Sequence, residues 1–561
     1  MMQSNSNRDM AGLGFLVRQA GGKQILVLGF MLVLTSLTEG FGLLLLVPIT
    51  QAIAGQFSGI ASHVWLKSMA QITPVGLLAI AVALVSARAL IVYLTNERRR
   101  MLGLSLTNQL RAQAHSALIA ADWRWLSRQN SADHAALIMG ETVRAGNLVD
   151  HALSLATATV TLVVLLLAAA LISPMLTLLL CAIGIVLAVP LLALRKGAAR
   201  NAQEYSDVYS DLQGLVSNGL DHLRAARIAG ATDSLSEGFS QASGNLRQHE
   251  KVYFQETYRT QGWFQVLVAA ALAIATYFGV LAAEISIMIF IPVLAIAARS
   301  ASMLMRVQQA LHNWRYNLPA LEQLLGLIEA AQSHREPQEI TQSAVPCKAE
   351  IALRNVTFAY QGSNSAVLAG FDCSIPVGSV VAVRGASGSG KSTLADLLCG
   401  LLRPDSGAIC VDGQALNDAQ RMRWRCQTAY VEQSSYFFDG TIAENICWGL
   451  GQIEIAQMEA ALHAASADFV FDQPDGFDTR IGESGRLFSG GELQRIALAR
   501  GLIRQPDLLI LDEISSGLDA QNRAFVRQSV ANLKGQGTIL LLSHDQEMLD
   551  IADAVLDLDA A

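Results

Sequence analysis

The stretch Gly385-Ala386-Ser387-Gly388-Ser389-Gly390-Lys391-Ser392-Thr393 decides the fold of the second half of this chain. It fits the P-loop pattern G-x-x-x-x-G-K-[ST]. An apolar run rich in β-branched residues precedes it at 379–383, and a run with helical spacing follows at 394–398. The glycines let backbone N–H groups face an anion, and the next helix points its positive end there. We therefore expect a phosphate site, with Lys391 on the β- and γ-phosphates and Ser392 on Mg²⁺. The alternative is a Gly/Ser loop before a helix with no ligand.

The composition divides the chain into two halves of different character. The 561 residues are 52% hydrophobic and 16% charged, and the apolar excess lies in the first 310 residues. This distribution favours a membrane half followed by a soluble half. The net charge of −7 gives no basic surface for a nucleic-acid partner. The seven cysteines are odd in number and show no C-x-x-C spacing, so we expect buried thiols in a reducing compartment. No cleavable signal peptide is visible.

Six apolar runs follow a short polar head, each near the roughly 20 residues that span a bilayer as a helix. They cover about 24–50, 72–95, 148–172, 174–195, 263–283 and 285–305. A buried core helix is the alternative for any single run, but six in one chain favour a membrane domain. The connections at 96–147 and 196–262 are long and rich in Lys and Arg, which places them and the N-terminus in the cytoplasm. An even number of spans then returns the chain to the cytoplasm, where the P-loop meets ATP.

The long connections predict helical rods that continue the membrane helices into the cytosol. The first turns at Asp122–His134 and the second at about 214–232, and such turns can rest on the soluble domain. Within the first turn, Trp123 and Trp125 either dock into the soluble domain or pack within the rod. The predicted domains are a transmembrane domain at 1–331, a linker at 332–348 with Pro337 and Pro346, and a nucleotide-binding domain at 349–561. From Glu350 onward, strands alternate with helices, which is an α/β pattern.

A second nucleotide element is the apolar run Leu508-Leu509-Ile510-Leu511, which ends in Asp512 and Glu513. Asp512 at the end of a strand can hold Mg²⁺ through water. Glu513 can polarise a water molecule for attack on the γ-phosphate, a nucleophile that phosphoryl transfer needs in position. Two acidic residues after an apolar run are common in proteins. They indicate a nucleotide site here because a P-loop lies upstream in the same chain.

Between these elements lies Leu487-Phe488-Ser489-Gly490-Gly491-Glu492-Leu493-Gln494-Arg495, which resembles the signature LSGGQ of ABC transporters. Phe488 and Glu492 replace the usual Leu and Gln. A Ser and two glycines at a helix N-terminus form a second anion cradle. The resemblance implies that this cradle contacts the γ-phosphate held by a second subunit. The glutamate adds a negative charge near the phosphates, which would slow or tune turnover.

Further elements follow in the order that the ABC transporter family has. They are Tyr360 for adenine stacking, Gln433 of the Q-loop on Mg²⁺, Asp519 of the D-loop, His544 of the switch on the γ-phosphate, and Ile481–Gly485 with Glu483 as the exporter-specific segment. Taken alone, each residue has another interpretation. Tyr360 could be a strand aromatic, Gln433 a surface residue, Asp519 a helix cap and His544 a loop histidine. The residues expected to bind ATP are Tyr360, Gly385, Ala386, Ser387, Gly388, Ser389, Gly390, Lys391, Ser392, Thr393, Gln433, Ser489, Gly490, Gly491 and Asp519. Those expected to hold Mg²⁺ are Ser392, Gln433 and Asp512, and those expected to act in catalysis are Glu513 and His544.

The first half resembles the membrane domain of exporter-type (type IV) ABC half-transporters, through its span count, long cytosolic connections and fused order. The resemblance implies an all-α six-helix transmembrane domain followed by an α/β P-loop nucleotide-binding domain with a helical subdomain. Family members usually continue beyond the equivalent of Ala561, so a C-terminal contact between soluble domains is expected to be absent.

Glu39 and Arg88 are two of the ionisable residues within the predicted spans. Glu39 is deep in the first run and Arg88 is in the inner part of the second. Buried charges in a membrane usually face the bundle interior or a cavity. We hypothesise that Glu39 lines the translocation path and pairs with Arg88. The alternatives are a structural pair for Glu39 and snorkelling to the cytoplasmic interface for Arg88, while Arg299 and Arg306 are expected to mark the cytoplasmic edge of the sixth span.

The sequence thus predicts an ATP-driven exporter in the cytoplasmic membrane of a bacterium, with ATP and Mg²⁺ as cofactors. One chain carries one P-loop and one signature, so a homodimer is the simplest assembly and a heterodimer the alternative. The expected cargo is a small peptide or amphiphilic compound, with a lipid or lipid-linked-sugar flippase as the alternative. A rival of another class is an ATP-gated regulator or channel. A soluble ABC ATPase acting on DNA or ribosomes is disfavoured by the six predicted spans.

Overall fold

The computed structural model describes residues 21–49, 73–172, 222–277 and 287–559, apart from 338–342, 361, 363–364, 387, 452 and 483–487. It also describes isolated residues within 12–18 and 174–220. The chain forms two compact units. The first contains Met1–Ala120 and Asn130–Ser333, and the second contains Ala121–Gln129 and His334–Ala561. A nine-residue segment of the first predicted cytosolic connection thus belongs to the second unit.

The first unit is helical throughout its described part. Its helices are α1 (Gly22–Leu44), α2 (Pro74–Ile119), α4 (Ser131–Ala136), α5 (Thr142–Ile172), α6 (Leu223–Ile228), α7 (Thr232–Thr276) and α8 (Ile287–Ser333), and the short helix α3 (Trp123–Leu126) lies in the second unit. A π-helical turn at Leu137–Glu141 joins α4 to α5. Pro74 occupies the first turn of α2, where its missing N–H removes no helical hydrogen bond, and the Thr73 side chain accepts from the Gly76 amide.

Four helical stretches in the described residues are long and apolar enough to cross a membrane. They are Gly22–Ile49, Val75–Ile119, Asp133–Ile172 and Phe290–Ser333. The predicted spans 24–50, 72–95, 148–172 and 285–305 fall largely on these stretches. The predicted span 174–195 lies mostly outside the described residues. The span 263–283 overlaps a shorter apolar helix, Gln261–Ile274, and its end is outside them. The count of six spans and the domain boundaries stay predictions.

Small and polar residues allow α1, α5 and α8 to pack closely. Leu44, Leu165, Ala168, Ala169, Ile296 and Met303 form a buried apolar cluster among these helices. Ser36 and Thr161 share a hydrogen bond of 2.8 Å between their hydroxyl oxygens. A Cβ atom on Gly40 would lie 2.5 Å from Val164 Cγ1, so only glycine permits this approach of α1 to α5.

The second unit contains two main sheets with helices around them. The strands are β1 (Glu350–Phe358), β2 (Leu368–Pro376), β3 (Val380–Arg384), β4 (Ser406–Val411), β5 (Gln414–Ala415), β6 (Thr428–Val431), β7 (Gly440–Thr441), β8 (Arg480–Ile481), β9 (Leu508–Asp512), β10 (Thr538–Leu542) and β11 (Ala554–Asp557). The helices after α8 are α9 (Lys391–Leu398), α10 (Asp418–Cys426), α11 (Ile442–Ile446), α12 (Ile455–Ala464), α13 (Gly490–Leu502), α14 (Ala520–Leu533) and α15 (Gln546–Leu549). One sheet is antiparallel in the order β2-β1-β4-β5, and the other is parallel in the order β11-β3-β10-β9-β6.

The parallel sheet is buried on both faces, as continuous apolar strands predict. Val381, Ile510 and Leu540 face a core shared with the antiparallel sheet and α9, whereas Ala382 and Leu541 face a core shared with α11 to α15. Four neighbouring strands, β3, β10, β9 and β6, end at the same edge. The loops that follow them carry the P-loop and the residues predicted to be the switch histidine, the catalytic acid and the Q-loop glutamine. This edge is where a ligand is expected in an open parallel sheet.

Candidate nucleotide-binding site

The P-loop has the backbone conformation that its glycines were expected to provide. Gly388 and Gly390 have φ angles of 85° and 98°, in the left-handed region where glycine is favoured. Gly390 is the N-cap of α9, and a Cβ atom there would lie 2.7 Å from Val367 Cγ1. Ser389 Oγ is buried and has no hydrogen-bond partner in the described structure. The loop therefore offers an unused donor beside a helix N-terminus, which fits a phosphate group.

Lys391 bends back over the loop. Its Nζ donates to the Gly385 carbonyl at 2.6 Å and lies 3.3 Å from the Ala386 carbonyl oxygen. The Ala386 amide in turn donates to both carboxylate oxygens of Asp559, each at 3.0 Å. Sequence reasoning did not assign Asp559, because its role depends on β11 pairing with β3. Ser387 lies outside the described residues.

The acid and the histidine that the sequence assigned to catalysis lie close to the glutamine that it assigned to Mg²⁺. His544 Nδ1 lies 3.2 Å from Glu513 Oε1, and Gln433 Nε2 donates to Glu513 Oε2 at 3.3 Å. Glu513 has a φ angle of 47°, which is rare for a non-glycine residue. Its amide donates to the Leu542 carbonyl at 2.9 Å, so the neighbouring strand holds this conformation. The three side chains therefore converge on one point at the edge of the sheet.

Asp512 lies beside this group and fits a Mg²⁺ ligand. It is half-buried, and the loss of solvation raises its pKa although Tyr430 donates a hydrogen bond of 2.8 Å to Oδ2. A carboxylate that is costly to ionise gains from a neighbouring cation. Among the described residues there is no group of three His, Cys, Asp or Glu side chains that could hold a metal ion. The predicted ligands Asp512, Ser392 and Gln433 would hold a Mg²⁺ ion here together with phosphate oxygens, since Mg²⁺ prefers oxygen ligands.

Tyr360 lies next to the P-loop helix. Its hydroxyl is 3.2 Å from Thr393 Oγ1, and its ring packs edge-on against Phe358 with centroids 5.0 Å apart. The guanidinium of Arg128 lies 5.1 Å from the Tyr360 ring centroid. Arg128 was not assigned from the sequence, because it is remote from the motifs and only the docked segment 121–129 brings it here.

Segment 121–129 is fixed to the second unit by several contacts. Arg124 donates two hydrogen bonds to Asp405, at 2.7 and 3.1 Å, and another to the Ala359 carbonyl. The Trp123 indole donates to Asp396, and Trp125 stacks on His334 with centroids 5.4 Å apart. Of the two alternatives for the tryptophans, the structure places both against the second unit. The predicted turn at 214–232 is described only in part, and it contains α6.

The signature motif forms the first turn of α13, and residues of the motif itself cap this helix. Ser489 is the N-cap of α13, and its hydroxyl accepts from the Glu492 amide at 3.3 Å. Glu492 Oε2 accepts from the Ser489 amide at 2.7 Å and lies 2.9 Å from Ser489 Oγ. This is a capping box, so the unusual glutamate is stabilised in the first helical turn. Phe488 packs against the apolar core under this helix. Its replacement of leucine therefore keeps an apolar contact.

Two other signature-region residues have structural partners. A Cβ atom on Gly491 would lie 2.4 Å from Asn522 Cγ, so α13 and α14 approach closely there. Asp519 caps α14, accepting from the Asn522 amide at 2.7 Å. This helix-cap role was the alternative for Asp519, and it leaves the predicted D-loop role untested. The segment around Glu483 lies outside the described residues.

In the first unit, Glu39 and Arg88 form the proposed pair. Arg88 Nη2 donates to Glu39 Oε2 at 2.7 Å, and Arg299 Nε donates to Glu39 Oε1. Arg299 was expected to mark the end of a span, but the packing of α8 against α1 brings it to the same carboxylate. Whether these residues line a translocation path stays a prediction.

Comparison with known proteins relates part of the second unit to a family and the whole chain to a fold. Residues 368–516 match the family model described as ABC transporter. A bacterial Atm1-family ABC exporter with ATP bound superposes with a TM-score of 0.78 over 96% of this chain and 94% of that chain, at 21% identity. Residues 368–516 therefore form an ABC transporter domain, and the chain has the fold of an ABC exporter, with a helical unit and an α/β unit on one polypeptide. With its long apolar helices, it is a membrane protein.

Curated relatives are more specific in their names. The ATP-dependent lipid A-core flippase of Chromobacterium violaceum is 29% identical over 368 residues, which cover 64% of this chain and 62% of that protein. The ATP-dependent lipid A-core flippase of Vibrio cholerae serotype O1 is 39% identical over 212 residues, which cover 37% of this chain and 36% of that protein. The matches thus span less than two thirds of the length of these relatives.

Proposed function

We propose that this protein uses ATP to move an amphiphilic molecule across the cytoplasmic membrane of a bacterium, and that it works as a homodimer. The observation that carries the proposal is the convergence of Glu513, His544 and Gln433 beside a P-loop, on the same chain as helices able to cross a membrane. A soluble ABC ATPase that acts on DNA or ribosomes would need no such helices.

In this mechanism, ATP binds between the P-loop of one subunit and Ser489, Gly490 and Gly491 of a second copy. Lys391 leaves the Gly385 carbonyl for the phosphates, and Ser389 Oγ gains its missing partner. A Mg²⁺ ion held by Ser392, Gln433 and Asp512 would neutralise phosphate charge. Glu513 orients a water molecule and accepts its proton, and His544 holds Glu513 and contacts the γ-phosphate. Closure around ATP and release after hydrolysis would switch the membrane helices between inward and outward access.

The names of the relatives change the order of the cargo hypotheses. The sequence favoured a small peptide or an amphiphilic compound and ranked a lipid second. Two relatives are named lipid A-core flippase, and this supports a lipid more than a peptide. A lipid is itself amphiphilic, so the broader expectation is retained and the proposed cargo within it becomes a lipid.

A vesicle assay tests the proposal directly. The purified protein in lipid vesicles, given ATP and Mg²⁺, is expected to carry a fluorescently labelled lipid from one leaflet to the other, measured by chemical quenching of the outer leaflet. The Glu513→Gln variant is the matched control and should carry none. ATP hydrolysis without movement of lipid or peptide, but with ion flux on ATP binding, would instead favour the ATP-gated channel.

A further inference from the structure

The peptide group that joins Gly385 to Ala386, at the start of the P-loop, is hydrogen-bonded to opposite charges at its two ends. Its carbonyl oxygen accepts from Lys391 Nζ at 2.6 Å. Its N–H donates to both carboxylate oxygens of Asp559, each at 3.0 Å. One peptide group thus lies between a cation that is proposed to bind phosphate and an anion that has no assigned role.

The two hydrogen bonds strengthen each other, because they polarise the peptide group in the same direction. A cation at the carbonyl oxygen makes the N–H a better donor, and an anion at the N–H makes the carbonyl oxygen a better acceptor. Hydrogen bonds that involve a charged group are also the stronger class. Asp559 therefore stabilises the contact between Lys391 and the Gly385 carbonyl through the peptide group that both side chains bind.

The end of β11 is fixed against the P-loop, so the position of Asp559 is set by the fold. Because β11 pairs in parallel with β3, the residues that follow β11 reach the loop that follows β3. A Cβ atom on Gly385 would lie 3.3 Å from Leu558 Cβ, which shows how closely the loop and the strand end pack. The Asp559 amide donates to Asp557 Oδ1 at 2.9 Å and closes a turn after β11. The sheet and this turn together place the carboxylate at the Ala386 amide.

The contact that Asp559 stabilises has to break before Lys391 acts as proposed. Lys391 leaves the Gly385 carbonyl in order to reach the β- and γ-phosphates. Any interaction that strengthens the carbonyl contact therefore raises the free energy of this movement and weakens phosphate binding by the same amount. Loss of the charge on Asp559 should accordingly favour binding.

We infer that Asp559 is a positioning residue of the proposed ATP site, which holds Lys391 on the Gly385 carbonyl and thereby lowers the affinity for ATP. It acts through the peptide group between Gly385 and Ala386 and not by contact with the nucleotide. The inference rests on the proposed function and adds a residue that adjusts nucleotide affinity at the same site.

A purely structural role for Asp559 predicts a different pattern. If the carboxylate only anchored the P-loop, Asp559→Asn would retain an acceptor oxygen and bind ATP as wild type does, whereas Asp559→Ala would loosen the loop and bind ATP more weakly. If Asp559 restrains Lys391, both variants should bind ATP more tightly. Ala386 is exposed, so water replaces the carboxylate at its amide in the alanine variant. A gain in affinity also does not arise from misfolding.

The test is binding of ATP with Mg²⁺ to the full-length protein, measured by competition with a fluorescent nucleotide. Asp559→Asn and Asp559→Ala should each bind ATP about threefold more tightly than wild type, a modest gain because the carboxylate is exposed. Inorganic tripolyphosphate, which has no base, should gain the same factor, and adenosine should gain none. Asp557→Asn is the matched control, since it removes a neighbouring charge and keeps the acceptor oxygen for the Asp559 amide, and it should bind ATP as wild type does.

A double variant tests whether the effect passes through Lys391. In a Lys391→Met background there is no cation to restrain, so Asp559→Asn should give no further gain in the affinity for the fluorescent nucleotide. A gain that persists in this background would mean that the carboxylate repels the phosphates directly, and it would overturn the inference.

The other outcomes that overturn the inference are unchanged or weaker ATP binding by Asp559→Asn, an equal gain in Asp557→Asn, and a gain for adenosine. The inference and the proposed function also fail separately. If Asp559→Asn binds ATP more tightly but the wild-type protein moves no lipid in vesicles, the proposed function fails and the role of Asp559 stands. If lipid crosses but Asp559→Asn binds ATP as wild type does, the proposed function stands and the role of Asp559 fails.

Discussion

The guanidinium of Arg128 lies 5.1 Å from the centroid of the ring of Tyr360, the side chain predicted to stack on adenine. Its neighbour Arg124 is hydrogen-bonded to Asp405 and to the Ala359 carbonyl, one residue before Tyr360. Segment 121–129 joins helices α2 and α4 along the chain, and it is part of the second unit. The chain segment between α2 and α4 therefore carries two arginines to the proposed adenine side of the second unit.

Replacing Arg128 by alanine should weaken ATP binding by about fivefold, because a cation over an aromatic ring contributes about 1 kcal/mol and holds the ring in place. Binding of inorganic tripolyphosphate, which has no adenine, should be unaffected. Competition of both ligands against a fluorescent nucleotide measures the difference. Arg354→Ala, which removes an exposed arginine of β1, is the control. Equal loss for ATP and tripolyphosphate would contradict a role for Arg128 at the adenine side.

Asp396 should make the stability of the second unit depend on pH. Burial, together with the charges of Asp512 and Glu432, raises its pKa to about 7, although the Trp123 indole donates a hydrogen bond to it. In the unfolded chain the pKa is about 3.9. The folded state therefore loses stability as the pH rises from about 4 to about 7, and the loss is constant above that range.

The Asp396→Asn variant removes this penalty and should be the more stable protein at pH 8, by about 1–2 kcal/mol after allowance for partial exposure. The gain should shrink as the pH falls toward 5. Thermal unfolding midpoints of wild type and variant over this pH range measure it. Asp472→Asn, at an exposed position, should show no such trend. A gain that is constant with pH would mean that Asp396 is ionised in the folded state throughout.

Replacing Glu513 by glutamine should trap ATP and abolish turnover, because the amide cannot accept the proton of the attacking water. The side chain keeps its shape, so the contact with Gln433 should survive and nucleotide binding should be unchanged. ATP hydrolysis and retention of labelled nucleotide measure the two effects. Glu459→Gln, on the exposed side of α12, is the control. Sustained hydrolysis by Glu513→Gln would refute the assigned role.

Replacing Glu492 by glutamine should preserve the start of α13 and raise the ATPase rate a few-fold. Gln420 already serves in an equivalent capping box at α10, so an amide can support this motif. The change removes a negative charge near the proposed γ-phosphate. The unfolding midpoint and the ATPase rate are measured together, and Glu492→Ala should lower stability by about 1 kcal/mol through loss of the cap. An unchanged rate in Glu492→Gln would show that the charge does not tune turnover.

The short motifs of the second unit could be predicted because each is local. The P-loop, Ser489-Gly490-Gly491 and the pair Asp512-Glu513 are contiguous stretches whose residue types and spacing follow from backbone geometry and charge. The P-loop and the pair Asp512-Glu513 meet at one edge because parallel strands direct their carboxyl ends to the same side. Asp559 at the Ala386 amide could not be predicted, since it requires the register of β11 against β3.

By itself, the sequence determined the division into an apolar and an α/β half and the identity of the nucleotide motifs. The apolar runs are periodic and the nucleotide motifs are contiguous, so each can be recognised within a single helix, strand or loop. Only the tertiary structure decided that Arg88 and Arg299 share Glu39, and that Arg128 lies on Tyr360. These contacts join residues that are far apart in the chain, and charge or residue type alone does not specify which helices will pack together.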